Sequence, residues 1–331
     1  MMAKDIYFEE NYGKLYEETE NGKTEIFKYE DANGIITNQF IKRIIPIDIG
    51  KQYYDITTPY GYGGPIIVEY KKNKDELVNN YEKAFREYCN NNDIVSEFIR
   101  FHPIFNNALD FKSVYNVIYL RKTLGTNLEI YEDPIVSEFS KSCRKNIRQC
   151  KNKGIDFRVT ESPTIMEIEK FKNIYYVTMD RNDASDFYYF KDEYFEKLLK
   201  YFSDNILTVE AIYEGKTIAM GLYFIYNKIL HIHLSGTLTE YLYLSPAYML
   251  RYGATLWAKE HGYKLIHHGG GRSNSSEDSL YLFKKNFAKN TEFDFYIGKK
   301  IWNSEIYNKV CEEKHIDPEK IDFFPAYRKG I

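Results

Sequence analysis

The order of predicted strands and helices constrains this fold most strongly, because both halves of the chain mix them in the same style. In the first half, residues 24–48 are typical of two paired strands around an Asn33-Gly34 turn. Residues 74–89 carry apolar side chains at steps of four, which indicates a helix with one buried stripe. Further strands are predicted at 66–70, 95–101 and 111–120.

The second half again mixes strands with helices. A capping box from Thr164 to Glu167 opens a helix that continues to about residue 180, and Ser245-Pro246 opens another. The other predicted elements are a helix at 192–201 and strands at 155–159, at 206–236 (three strands), at 264–268 and at 291–300. Neither half alternates strictly between strand and helix, so a doubly wound sheet is disfavoured and we expect an α+β protein.

Composition narrows the classes of partner and compartment. The formal net charge is −3, so any anion must be bound by a local cluster of cations. The four cysteines form no CxxC pair, and a chain of this size needs no disulfides, so we expect reduced thiols. We see no secretory signal and no run that is apolar enough to cross a membrane. We therefore expect a soluble, cytoplasmic protein.

Two clusters of basic residues stand out against this background. Residues 137–154 are predicted to form a helix on which five cations recur at steps of three and four and share one face. They are Lys141, Arg144, Lys145, Arg148 and Lys151. Lys284 and Lys285 form the second cluster. A basic face is either a solvated helix surface or a binding site for phosphate or diphosphate, which arginine grips with a rigid fork.

The stretch HHGGGRSNSSEDSLYLFKKNF, residues 267–287, places three glycines after a predicted strand. Its spacing matches neither GxGxxG nor GxxxxGK[ST], which excludes dinucleotide and P-loop motifs. We expect no metal site, since His231, His233, His267 and His268 are not joined by other residues at ligand spacing. A GxSxG elbow and a recognisable catalytic cysteine are also lacking.

Several segments together resemble the FemAB family of cell-wall aminoacyltransferases and their FemX-like relatives. The more specific ones are PYGYGGP at 59–65 and the GGG…FKKNF pair within 269–287. SKSCRKNIRQCKNKGIDFRV, from residue 140, resembles the family's central basic helix and the strand after it. The resemblance extends from about residue 6 to 328 and implies two GNAT-like (acyl-CoA N-acyltransferase-type) domains with mixed, mostly antiparallel sheets. We place them at 1–145 and 146–315, and residues 316–331 can complete the first.

The resemblance also implies transfer of an aminoacyl or acyl group to an amine, without a resident cofactor. Aminoacyl-tRNA is the favoured donor, and the acceptor is an anionic peptidoglycan precursor, either a small molecule or lipid-linked. Lys284 matches a lysine that steadies the oxyanion of the transition state. Arg144 and Arg148 match the grip on the precursor's diphosphate. The other expected substrate contacts are Lys42, Tyr60, Tyr62, His233, His268, Gly270 and Lys285.

Some residues depart from the family pattern and keep alternatives open. His102 stands where many aminoacyltransferases of the family have Asp before proline, and as a histidine it is a candidate base. One alternative is an acyl-CoA-dependent N-acyltransferase acting on an amino sugar or amino acid. Against it, no glycine lies between Gly236 and Gly253, and Pro246 removes a backbone donor where a CoA pyrophosphate would be cradled. Another alternative is a non-catalytic binding module for a diphosphate-linked precursor.

Overall fold

The computed structural model describes residues 4–330. The strands of this range are β1 (Gly22–Asp31), β2 (Gly34–Ile44), β3 (Tyr54–Thr57), β4 (Ile66–Tyr70), β5 (Ile94–Arg100), β6 (Asn116–Asn127), β7 (Asp156–Glu161), β8 (Ile206–Tyr213), β9 (Lys216–Tyr226), β10 (Ile229–Thr237), β11 (Leu265–Gly269) and β12 (Thr291–Ile301). The α-helices are α1 (Lys74–Asn91), α2 (Asn107–Phe111), α3 (Pro134–Glu138), α4 (Lys141–Asn152), α5 (Ile165–Arg181), α6 (Asp192–Phe202), α7 (Ala247–Glu260), α8 (Ser279–Lys285) and α9 (Ser304–Glu313).

Most local predictions are confirmed. Asp31 pairs with Gly34 at the turn between β1 and β2, and the capping box of α5 forms between Thr164 and Glu167. The strand predicted from residue 111 is wrong at its start, because 107–111 form α2. The Asn107 side chain holds this turn of the chain: it accepts from the backbone N–H of His102 and donates to two carbonyls of the 59–65 loop.

The chain divides into two compact units with other bounds than the predicted domains. Within the described range, residues 122–293 form one unit, and residues 4–121 together with 294–330 form the other. Residues 122–145 join the second unit because Phe139 and Cys143 lie in its core. Residues 294–315 join the first unit, because the end of β12 pairs with β5. The return of the C-terminal segment therefore starts at 294 rather than at 316.

The first unit has one parallel strand pair among antiparallel ones. β2 pairs antiparallel with β1, β3 and β4. β3 and β5 are parallel, as the intervening helix α1 allows. The antiparallel neighbour of β5 is β12. The apolar stripe of α1 is fully buried against this sheet, as its spacing predicts; its members are Leu77, Tyr81, Phe85 and Cys89.

The second unit repeats this plan. β7, β8, β9 and β10 pair in order, all antiparallel. β10 and β11 are parallel and are joined through α7. The antiparallel neighbour of β11 is β6. Each parallel pair is thus completed by a strand from the other half of the sequence, which is why the compact units do not follow the midpoint of the chain.

Between residues 4 and 330, no helix combines the length and the apolar character needed to cross a membrane.

Candidate functional site

The glycine stretch after β11 and the short helix α8 meet at one hydrogen bond. The ammonium of Lys284 donates to the carbonyl oxygen of Gly270 at 2.6 Å. Gly271 is needed here because a Cβ on it would lie 2.6 Å from Asp278 Oδ1, closer than real Cβ atoms come. The predicted site residues Gly270 and Lys284 are therefore brought together.

Asp278 organises the loop between the glycines and α8. Its Oδ1 accepts from the N–H of Tyr281 at 2.9 Å and caps the helix. Its Oδ2 accepts from the N–H groups of Arg272 and Ser273 and from the Ser273 hydroxyl. These hydrogen bonds, led by the one from Tyr281, lower the pKa of Asp278 to about 2. The hydrogen bonds to this carboxylate, which stays ionised near neutral pH, thus hold the loop together.

His268 lies at a β-bulge between β11 and β6, where the register shifts between His267 and Gly269. A bulge re-aims a side chain beside a site. The ring is buried, with Nδ1 2.8 Å from a guanidinium nitrogen of Arg251 and Nε2 2.8 Å from the Thr126 hydroxyl. Burial, and then the charges of Arg251 and Lys284, lower the pKa of His268 well below its usual value. His268 is therefore a neutral group beside two cations.

Arg251 was not among the residues singled out from the sequence. It lies on α7 and is 6% exposed. Its guanidinium carbon is 5.5 Å from the ring centres of both Phe283 and Phe287. Its spacing in the sequence could have indicated it. Arg251 comes four residues after Ala247 and three before Ala254, so it lies within the apolar stripe of α7. A charged residue on such a stripe faces the core together with the apolar ones, so its charge needs a partner there.

Lys285 and His233 lie apart from this group. Lys285 forms an ion pair with Glu292 on β12, each side chain being one-third exposed. His233 Nε2 lies 2.7 Å from the hydroxyl of Tyr194 on α6. Burial is the main cause that lowers the pKa of His233 to about 3, and His231 adds to it. Their assignment as substrate contacts stays a prediction.

Helix α4 carries the predicted basic face. Its exposed cations are Lys141, Lys145, Arg148 and Lys151. None of them forms an ion pair with a described carboxylate. Arg144 is half-buried, and one of its guanidinium nitrogens donates to the carbonyls of Val136 (2.9 Å) and Phe139 (2.6 Å). Arg144 therefore closes the end of α3, which leaves Arg148 better placed to meet an anion.

Asn286 connects the start of α4 to the end of α8. The N–H of Ser140 donates to the Asn286 carbonyl at 2.8 Å, and the Ser140 hydroxyl donates to Asn286 Oδ1 at 2.8 Å. Ser140 also caps α4 by accepting from the N–H of Cys143. The basic face thus begins beside the helix that carries Lys284.

His102 lies in the first unit and is fully buried. The N–H of Phe105 donates to Nδ1 at 3.3 Å, so Nε2 carries the ring hydrogen and donates to Asp5 at 2.9 Å. Both ring nitrogens are thus held by protein groups. His102 thus anchors the segment after β5 to Asp5, and its role as a base stays a prediction that these contacts do not favour.

The loop at 59–65 packs against the N-terminal segment of the first unit. The carbonyl of Tyr60 accepts from the Tyr12 hydroxyl at 2.9 Å. Gly61 has φ +102°, and a Cβ there would lie 2.5 Å from the Tyr7 ring. The ring of Tyr62 lies 5.3 Å from that of Tyr7, and burial raises its pKa above the usual value. These contacts explain the glycines by packing, and substrate contacts by Tyr60 and Tyr62 stay predictions.

Lys42 lies on β2 and is mostly buried. Its ammonium is 3.8 Å from Glu25 and 4.4 Å above the ring of Tyr54. Glu25 carries the opposite charge, so a phosphate contact by Lys42 would have to compete with this carboxylate.

No cluster of three or more His, Cys, Asp or Glu side chains that could hold a metal occurs in the described part of the chain.

Known proteins match this chain at three levels. The model of the FemAB-like family, described as peptidoglycan biosynthesis and recognition, matches residues 54–274. The UDP-N-acetylmuramoylpentapeptide-lysine N(6)-alanyltransferase of Weissella viridescens is 25% identical over 191 residues, which are 57% of this chain and 52% of the relative. The match thus spans about half the length of that curated relative.

Solved structures match over nearly the whole chain. FemX has a TM-score of 0.67 and 13% identity, with 93% of this chain and 95% of that chain covered. L-PGS from Bacillus licheniformis has a TM-score of 0.57 and 15% identity, with 95% and 99% covered. At these identities the likeness concerns the fold alone, and it confirms the predicted α+β class. Since the family model matches about two thirds of its residues, the chain belongs to the FemAB-like family.

Proposed function

We propose that this protein transfers an aminoacyl group from aminoacyl-tRNA to a primary amine of an anionic peptidoglycan precursor, either nucleotide- or lipid-linked. The observation that carries the proposal is the likeness to an alanyltransferase named for lysine N(6) of UDP-N-acetylmuramoylpentapeptide. Membership of the FemAB-like family supports it. The proposed reaction takes place in the cytoplasm, where aminoacyl-tRNA is made.

The chemistry is acyl transfer from an ester to an amine. The amine nitrogen attacks the ester carbonyl and a C–N bond forms, while the carbonyl oxygen becomes an oxyanion. The intermediate then collapses, the bond to the ribose oxygen breaks, and the amine proton moves to that oxygen. The protein has to place the two substrates and stabilise the oxyanion.

Lys284 is the proposed oxyanion partner. An ammonium has three donor hydrogens, and the Gly270 carbonyl takes one at 2.6 Å. The contact fixes the direction of the side chain without neutralising its charge. A fixed cation beside a developing oxyanion stabilises the transition state more than the ground state, since the negative charge is greatest there.

None of the three candidate histidines is well suited to take the proton from the amine, which favours a proton transfer between the substrates themselves. Both ring nitrogens of His102 and of His268 are held by protein groups. His233 is a weak base, because burial lowers its pKa to about 3. We therefore propose that the leaving ribose oxygen receives the amine proton directly or through water, with no histidine as the base.

The basic face of α4 is the proposed dock for the polyanionic part of a substrate. With a rise of about 1.5 Å per residue, the cations from Lys141 to Lys151 extend over about 15 Å. That length exceeds one diphosphate and suits several phosphates of an RNA backbone. Arg148 lies within this row and is the proposed diphosphate contact, with Arg144 supporting the helix from α3.

The start of α7 favours tRNA over acyl-CoA as the donor. Ser245 has φ +55° and Pro246 is the N-cap residue. Proline has no N–H to offer a pyrophosphate, and a CoA cradle needs several backbone donors at this point. We therefore propose an aminoacyl ester, rather than a thioester, as the donor.

The test is a transfer assay read by mass spectrometry. The protein is incubated with charged tRNA or with acyl-CoA donors, and with nucleotide-linked or lipid-linked precursors. We expect an aminoacyl adduct on the precursor amine only with charged tRNA. Transfer from acyl-CoA with none from charged tRNA would overturn the donor assignment, and no transfer to any precursor would favour a binding module.

A further inference from the structure

Arg251 is a buried cation with few protein partners. The side chain is 6% exposed. Within residues 4–330, its guanidinium makes one hydrogen bond, to Nδ1 of His268 at 2.8 Å, and no ion pair. Since a guanidinium has five N–H donors, four have no protein acceptor. Burial lowers the pKa of Arg251, and the groups that oppose this effect are Tyr223 and Cys143 rather than carboxylates.

Two other arginines of the chain, Arg43 and Arg158, show how a carboxylate can compensate a guanidinium. The side chain of Arg43 is 13% exposed, and its guanidinium is paired with both Asp55 and Glu20. Arg158 reaches both carboxylate oxygens of Glu210. A buried charge is expensive unless an opposite charge compensates it. The two phenylalanine rings beside Arg251 attract the cation but do not replace a carboxylate.

A chain of hydrogen bonds fixes the guanidinium. Arg251 can only donate, so Nδ1 of His268 accepts and Nε2 carries the ring hydrogen. Nε2 then donates to the Thr126 hydroxyl, which donates in turn to the carbonyl of Phe287 at 2.6 Å. Phe287 follows the end of α8, so Arg251 is connected to the segment that carries Lys284.

We propose that Arg251 is the anchor of an oxyanion-binding subsite, in which a phosphate or carboxylate group of a ligand accepts from the N–H groups that His268 leaves unused. His268 and Thr126 orient the guanidinium, and the charge of Lys284 adds to the positive potential. A guanidinium binds such groups through two parallel hydrogen bonds, which gives the subsite its geometry. The inference does not rest on the proposed transfer reaction, since it requires only binding.

Binding of inorganic phosphate to the whole protein tests the subsite. Isothermal titration and thermal unfolding are measured for the wild type and for Arg251→Met, whose side chain keeps the length and flexibility but not the charge. We expect phosphate to stabilise the wild type, and the variant to bind it about 30-fold more weakly or worse. Without ligand the variant should unfold near the wild-type temperature, because loss of an unpaired buried charge offsets the lost hydrogen bond.

Two further variants separate binding from folding. Thr126→Val keeps the guanidinium but interrupts the chain of hydrogen bonds that orients it. This variant should bind phosphate about fivefold more weakly. Arg158→Met removes a paired cation of the same unit and should leave phosphate binding unchanged. Equal phosphate affinity in the wild type and Arg251→Met would overturn the subsite. So would severe instability of both Arg251→Met and Arg251→Lys without ligand, because the guanidinium would then be a structural group.

AMP and UDP identify where the oxyanion comes from. AMP represents the terminal nucleotide of an RNA donor, and UDP represents the diphosphate of a nucleotide-linked precursor. If only one of them loses affinity in Arg251→Met, the subsite belongs to that substrate, and loss of both indicates general recognition of phosphate. If the variant binds both as the wild type does, the subsite is refuted, whether or not the protein transfers aminoacyl groups.

Discussion

The ammonium of Lys284 donates a hydrogen bond of 2.6 Å to the carbonyl oxygen of Gly270. The contact joins the last turn of α8 to the glycine stretch that follows β11. A flexible side chain is thereby given one direction, and its charge is kept beside the neutral ring of His268. The conformation of a glycine loop thus controls the position of the proposed oxyanion partner.

Replacing Lys284 by alanine should lower kcat by about 100-fold or more, since one donor to the oxyanion is lost. The KM for the acceptor should change much less, because the oxyanion exists only in the transition state. The control is Lys289→Ala, which removes an exposed cation shortly after α8 and should leave kcat within about twofold. Steady-state transfer kinetics decide. An equal loss of kcat and of acceptor binding in Lys284→Ala would contradict the assigned role.

Replacing Asp278 by alanine should loosen the loop before α8. The carboxylate accepts from the N–H groups of Arg272, Ser273 and Tyr281, and loss of a helix cap costs about 1 kcal/mol. Hydrogen exchange should speed up at Ser273 and Tyr281, and kcat should fall. Glu277→Ala, one residue earlier, is the control. Unchanged exchange at both amides would show that the cap does not order this loop.

The Asp278 cap also has a predicted pH dependence. Because its hydrogen bonds lower the pKa of Asp278 to about 2, the folded state keeps the carboxylate where the unfolded chain would protonate it. The stabilisation is full above the unfolded pKa of about 3.9 and is lost as pH falls through about 2. Acid unfolding of Asp278→Ala should be less steep over this range than that of the wild type. Parallel curves would count against the carboxylate as a titrating cap.

Neutralising the basic face of α4 should weaken polyanion binding in a salt-dependent way. The double variant Lys145→Gln with Arg148→Gln removes two exposed cations. The plot of log affinity against log salt for tRNA or the diphosphate-bearing precursor should become shallower by about 1 to 2. Lys264→Gln is the control, since that cation is already paired with Glu129. A slope equal to that of the wild type for every substrate would exclude α4 as the dock.

The buried carboxyl of Glu97 should make the free energy of unfolding depend on pH near neutrality. It is buried on β5, and burial raises the pKa of its carboxyl to about 7, although hydrogen bonds from Asn38, Tyr115 and Trp302 act in the opposite direction. The unfolded chain has a glutamate pKa of about 4.3. Between these values only the folded state holds the proton. The free energy of unfolding should therefore fall by about 2 kcal/mol as pH rises from 5 to 7.

Glu97→Gln tests that origin of the pH dependence. Its amide can accept from Tyr115 and Trp302 as the acid does. Urea unfolding at pH 5, 6, 7 and 8 should give a flatter profile in this variant than in the wild type. Glu129→Gln, a change in an exposed ion pair, should keep the wild-type profile. Identical profiles in all three proteins would assign the pH dependence to other groups.

The sequence predicted the elements where one local signal dominates. The Asn33-Gly34 turn, the stripe of α1 and the capping box at Thr164 depend on neighbouring residues, and they formed as expected. The prediction of Lys284 came from a family resemblance, and nothing local to FKKNF could have indicated its contact with Gly270. His102 shows the limit of such reasoning, because its partner Asp5 lies 97 residues away in the chain.

By itself the sequence determined the α+β class, most element positions, the basic face of α4 and the family resemblance. Only the tertiary structure decided the bounds of the two units, because β6 and β12 each complete the parallel pair formed by the other half of the chain. It also brought Arg251, His268 and Thr126 into one relay from α7, β11 and β6. Period and spacing act over a few residues, whereas strand pairing and burial join residues more than a hundred positions apart, and they decide which charges have partners.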